Sequence, residues 1–252
     1  LEGGKGRNYA EEIDGGKFLK FQTPPVQYAV VARRDSIQHS FLEPLYEWAA
    51  SVRHYPFGSS LGKESLVVFA DHGLMVNERD PGQVVGVFHN GKRDFGDAFV
   101  NAIIADLARV DYDIENIDIG PLASIRFSGL PSVPVGIFVK ERDLPGTTDQ
   151  YSMSQGMFRV LALLVHANFF QMKRTAACVL IDDIGEGLDF ERSCRLIELL
   201  REKADHSQLQ IVMSTNDRFI MNNVPLEEWS ILRRKGNHVS VRNYSNSRKV
   251  FE

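Results

Sequence analysis

The chain has 252 residues, 43% hydrophobic and 25% charged, with a formal net charge of −4. This is ordinary globular composition with room for a substantial core, and it gives no whole-molecule attraction to nucleic acid or anionic lipid, although a local basic patch can still provide one. Two cysteines, Cys178 in an apolar run and Cys194 in a helical pattern, argue against a disulfide scaffold or a thiolate metal site and point to a reducing, cytoplasmic setting.

The opening residues, with Gly3, Gly4, Gly6, Gly15 and Gly16 among charges, read as loop. The first residue is Leu1, so further residues are expected upstream. A strand is expected at 27–32 (QYAVVA). A helix follows over 37–53, with Phe41, Leu45, Trp48 and Ala49 at helical spacing and Pro44 in its first turns or at a kink. Four β-type runs follow: LVVFA, QVVGVF, ASIRF and PVGIFV. One amphipathic helix, over 97–110, lies among them. The turn-rich stretch 143–149 (DLPGTTD) closes this region and opens a helix, strand, helix, strand pattern. No apolar stretch approaches the ~20 residues of a membrane span, and the first residues show no basic-then-apolar signal pattern. The chain carries no internal repeat.

Residues 151–164 (YSMSQGMFRVLALL) run from a small polar loop straight into an apolar helix. Ser154 and the amides near Gly156 then sit at a helix N-terminus, where unpaired N–H groups and the dipole favour a phosphate. The same pattern suits a core helix capped by Ser152 or Ser154. Residues 177–183 (ACVLIDD) form an apolar strand ending in two carboxylates. Acids beside a low-dielectric core call for a cation or donors, and magnesium is the natural candidate. A plain solvated loop or a helix cap is the other reading. A helix over 190–203 and a strand at 210–214 come next, followed by Thr215, Asn216 and Asp217. The seven histidines show no i,i+4 pair or cysteine partner, and the basic run 233–236 reads as a hairpin turn between two strands, with nucleic acid or a partner as its other use.

The run from Asp182 to Asp189 (DDIGEGLD) resembles the Walker B and D-loop segment of ABC-type ATPases, and 210–216 resembles their switch strand, which normally ends in Thr-His. The likeness covers about 150–242 and is nearest to the non-transporter RecF and OLD branch, which includes components of phage defence. It implies an α/β ABC-type P-loop NTPase fold, a mixed sheet with flanking helices. Residues 1–149 would form the first part of the ATPase head, and 150–252 its signature, Walker B, D-loop and switch region. By the resemblance, Asp182 holds Mg2+ through water and Asp183 orients the attacking water. Thr215 and Asn216 face the γ-phosphate. Ser154, Gln155, Gly156 and Asp189 contact ATP, the first three on a second copy. A homodimer or higher oligomer and an effector protein are the implied partners.

Departures from the family pattern matter. Asp183 stands where Glu is usual, Asn216 where His is usual, and Gln155-Gly156 where Gly-Gly is usual. No Walker A is found. Residues 58–64 (GSSLGKE) have three residues between the glycines where four are needed, and Glu64 where Ser or Thr is needed. The working P-loop is therefore expected upstream. The resulting expectation is an ATPase with slow or partner-dependent hydrolysis, whose nucleotide-dependent dimerisation gates an effector. The alternatives are a non-hydrolysing scaffold or sensor of the same fold, and a metal-dependent nuclease built on Asp182 and Asp183 with Glu186 in reserve.

Overall fold

A computed structural model describes residues 5–10, 17–22, 40–68, 76–122, 124 and 133–251. The strand expected at 27–32 lies outside them, as does the ASIRF run apart from Ser124. The chain divides into two compact units, Leu1–Val52 and Arg53–Glu252. In the first, β1 (Lys5–Ala10) pairs antiparallel with β2 (Lys17–Gln22). A short 3-10 turn leads into helix α1 (Glu43–Ser51), and Pro44 occupies its first turn, where the missing N–H removes no helical bond. The helix ends at Ser51, earlier than expected, because Val52 is extended and opens β3 (Val52–Pro56).

In the second unit a pair of helices, α2 (Val84–Phe95) and α3 (Asp97–Arg109), is followed by the strands β4 (Ile114–Pro121), β5 (Val135–Glu141) and β6 (Thr148–Asp149). These three strands form an antiparallel sheet in the order β4-β5-β6. Helix α2 corrects the reading of QVVGVF as a strand. Its β-branched residues favour strand locally, but Val84, Val85, Val87 and Phe88 are all buried within a helical packing of α2 against α3 and α4. A side chain at Gly91 would bring its Cβ to 2.4 Å from the Phe99 ring, so this glycine sets how closely α2 and α3 approach.

Helix α4 (Gln155–Lys173) is buried at every position from Gly156 to Phe170. A helix buried on all sides belongs at the centre of a fold, and α4 carries Phe169, which meets the Phe99 ring edge-on at 6.4 Å. Beyond it, β7 (Ala177–Asp182) and β8 (Leu209–Met213) run parallel, with Cys178 opposite Gln210 and Ile181 opposite Met213. Helix α5 (Phe190–Asp205) makes the crossover that a parallel pair requires. The sheet order is β3-β7-β8. This mixed α/β arrangement, a parallel strand pair with flanking helices, is the expected P-loop ATPase type of fold. Three helices are tied by one buried polar network: Lys203 Nζ lies 2.7 Å from Asp106 Oδ2, and Asn168 Nδ2 donates to the same oxygen at 2.7 Å. Each charge is partnered, as a buried charge must be.

A short helix, α6 (Arg218–Met221), precedes the final hairpin of β9 (Ser230–Lys235) and β10 (His238–Asn243). Here the expectation shifts: the basic run lies on strand β9, and the turn is made by Gly236, at φ +64°, with Asn237. No helix among the described residues is long and apolar enough to cross a membrane.

Candidate functional site

Strand β7 ends at Asp182, and Asp183 turns the chain sharply at φ +55°, a left-handed conformation that Asp tolerates better than most residues. Asp182 is fixed from both sides. Its carbonyl accepts the Phe57 amide at 2.9 Å, while the neighbouring strand supplies Ser214. The Ser214 hydroxyl donates to Asp182 Oδ1 at 2.5 Å and accepts the Asp183 amide at 3.0 Å. The Ser214 backbone also donates to Ile181 O at 2.8 Å and accepts from Ile184 N at 2.9 Å. A hydroxyl bonded to an ionised carboxylate is a strong, short link, so Ser214 aims one acid and pins the backbone of the other.

Both carboxylates are exposed at the C-terminal edge of the sheet, and among the described residues no basic side chain pairs with either. Thr215 and Asn216 continue from Ser214 on the same edge. The Thr215 hydroxyl accepts the Asp217 amide at 3.1 Å, which folds this segment back on itself. No group of three His, Cys, Asp or Glu side chains among the described residues is placed to enclose a metal. That donor set fits Mg2+ in the manner common at phosphate sites, where one or two carboxylates bind and water and phosphate oxygens complete the shell.

A second cluster lies at the start of α4. Ser154 Oγ accepts the Met157 amide at 3.1 Å, so Ser154 is the helix N-cap and keeps its O–H free as a donor. Gln155 Nε2 donates to Ser59 O at 3.1 Å. Gly156 lies hard against the loop after the acid pair: a Cβ there would stand 2.4 Å from Gly187 O. Asp189 caps α5, accepting the Arg192 amide at 2.8 Å and the Arg192 guanidinium at 2.7 Å. The Arg192 amide first, and its guanidinium after, hold this carboxyl below the usual Asp range. The predicted residues thus fall into two groups, Asp182, Asp183, Thr215 and Asn216 on the sheet edge, and Ser154, Gln155 and Gly156 beside the run to Asp189.

Two contributors escaped the sequence reading. One is Ser214. The other is Arg159, buried in the first turns of α4, whose Nε donates to Ser59 O and whose Nη1 donates to Glu186 O, each at 2.8 Å, while Nη2 reaches Gly58 O. The signal was a single cation between Phe158 and Val160 in an otherwise apolar run. Residues 58–64 form a run of turns after β3. They lead into an isolated bridge at Val67, not a helix, and Lys63 spends its ammonium on Met153 O at 2.6 Å.

A family model described as "AAA domain, putative AbiEii toxin, Type IV TA system" matches residues 59–222. No curated protein matches the chain. Among solved structures, an SMC ATPase described for ATP-driven dimerization and DNA-stimulated activation is 18% identical with a TM-score of 0.44, over 65% of this chain and 94% of that one. The Smc head with coiled coil and joint from Pyrococcus yayanosii is 16% identical at 0.42, over 62% of this chain and 28% of that one. The Smc head from Pyrococcus furiosus bound to the C-terminal domain of ScpA is 19% identical at 0.41, over 61% of this chain and 37% of that one.

Proposed function

Because the chain belongs to the AAA-domain family whose description names an AbiEii toxin of type IV toxin–antitoxin systems, we propose that it binds ATP with Mg2+, hydrolyses it slowly and dimerises around it to gate a partner protein. One observation carries this reading. Ser214 bonds both Asp182 and Asp183, so the two acids and the polar segment Ser214 to Asn216 share one sheet edge. Mg2+ bound there would neutralise charge on the phosphates. Asp182 would hold the ion through water, and Asp183 would orient the attacking water. Thr215 and Asn216 would hydrogen-bond the γ-phosphate. Ser154, with the amides of Gln155 and Gly156, would meet the phosphates of nucleotide on a second copy, and Asp189 would fix the loop between the two clusters.

Slow turnover follows from two side chains. Asp183 is one methylene shorter than Glu, which sets its oxygens back by about 1.5 Å, and a misplacement of ~1 Å can cost about a hundredfold in rate. Asn216 can hydrogen-bond a phosphate but carries no positive charge, so it stabilises less of the charge that develops. The toxin–antitoxin wording of the family favours an effector partner, a role in antiviral defence and a cytoplasmic site of action. The same two residues also favour a second reading, a scaffold that binds ATP without turning it over.

Sedimentation of the full-length protein tests the proposal. With Mg-ATP under conditions that block hydrolysis, the expected species is a dimer, and Asp182→Asn should remove its magnesium dependence. A protein that remains monomeric under those conditions would sink the shared-site reading. A dimer under those conditions, together with no ATP turnover once hydrolysis is permitted, would select the scaffold.

A further inference from the structure

We propose that the β9–β10 hairpin is a duplex-DNA-binding ribbon whose cationic face lies along the major groove. The register pairs Ile231 with Arg242, Arg233 with Ser240 and Lys235 with His238. Directly opposed residues share a face, so Arg233, Lys235, His238 and Arg242 stand together on one side of the ribbon with Ile231 and Ser240. The other face carries Leu232, Val239 and Val241, with Arg234 beside the turn, where its Nε donates to Gly236 O at 2.8 Å. Every residue of both strands is exposed or half-exposed, and neither strand contains an acid. In a chain of net charge −4, this segregation concentrates positive charge on one small face.

The spacing favours a polyanion of regular pitch. Residues two apart on an antiparallel strand are about 6.8 Å apart, far enough to reach different phosphates of one DNA strand, which carries a charge at every nucleotide. Arg233 and Lys235 can therefore reach separate phosphates of one DNA strand while Arg242 serves a phosphate beside them. A two-stranded ribbon also fits the ~12 Å width of the B-form major groove, but not the deep, narrow one of A-form RNA. An acidic protein surface is less well matched, since protein interfaces centre on aromatic and apolar anchors and this face offers only Ile231.

Binding of the nucleotide-free, full-length protein to a fluorescent 20-base-pair DNA duplex across a salt series tests this. With three permanent cations, the slope of log affinity against log salt should be about −3. Arg233→Gln should flatten it by about one, and Arg233→Gln with Lys235→Gln and Arg242→Gln should abolish binding with the melting temperature unchanged. Arg234→Gln, on the other face, should leave the slope alone. Absence of DNA binding, a triple variant that still binds, an Arg234 effect equal to that of Arg233, or equally tight binding of duplex RNA or polyglutamate would each overturn the proposal.

Discussion

Arg159 Nη1 lies 2.8 Å from the Glu186 carbonyl oxygen, and the same guanidinium holds Ser59 O at 2.8 Å from its Nε. One side chain on α4 thereby joins the turn after β3 to the loop after the acid pair. Its planar fork suits three carbonyls from two loops, which a single ammonium cannot replace. Arg159→Met should lower stability by about 2–4 kcal/mol, because it strands buried acceptors, and Arg159→Lys should restore only part of that. Urea unfolding reads both, and an unchanged midpoint in the Met variant would contradict this role.

Ser154→Ala and Gly156→Ala should separate the two uses of the α4 N-terminus. The first removes a cap and should cost about 1 kcal/mol. The second places a Cβ 2.4 Å from Gly187 O, a backbone atom that must move, and should cost about 1–3 kcal/mol as overpacking does. Amide hydrogen exchange should then speed up in 184–188 for Gly156→Ala and stay unchanged there for Ser154→Ala. Equal behaviour of the two would show that the close approach is not the constraint.

The legible parts of this chain were those where polarity changes abruptly. Strand β7 announces itself by five apolar residues and then two acids, and β8 by a similar run into polar residues, so their pairing and shared edge could be expected before any coordinates. The stretch QVVGVF was misleading because strand and helix compete closely in a short β-branched run, and only the packing of α2 on α3 and α4 decides it. Arg159 and Ser214 act through partners 27 to 101 and 31 to 32 residues away in the sequence. A lone cation in an apolar run marks Arg159 as unusual, but no local pattern identifies such distant partners. The basic run misassigned to a turn belongs to β9 because Gly236 alone reaches the left-handed backbone the reversal needs.

His166 should make the fold sensitive to mild acid. Its ring is fully buried, edge-on to Tyr55 at 5.3 Å, with Nδ1 2.9 Å from Ala162 O. Burial pushes its pKa down to about 4 from 6.5, with Arg53 adding to the fall and the Ala162 carbonyl and the nearby Asp80 opposing it. The unfolded chain therefore binds this proton more readily than the folded one, and stability falls as pH drops from about 6.5 to about 4. The slope for one such group is at most about 1.4 kcal/mol per pH unit. Unfolding midpoints of the wild type and His166→Phe between pH 7 and pH 4.5 check this. The variant should show the shallower decline, and parallel declines would place the acid sensitivity elsewhere.

Steady-state ATP hydrolysis by the full-length protein, alone and with its partner, beside the Asp183→Glu, Asn216→His double variant, tests the central claim most directly. The short carboxylate and the neutral amide should leave the wild type slow. Restoring the longer acid and the cationic ring should raise kcat by about ten- to a hundredfold, with a smaller change in KM, because these groups act on the transition state more than on bound ATP. Brisk wild-type turnover that the double variant does not raise would contradict the account.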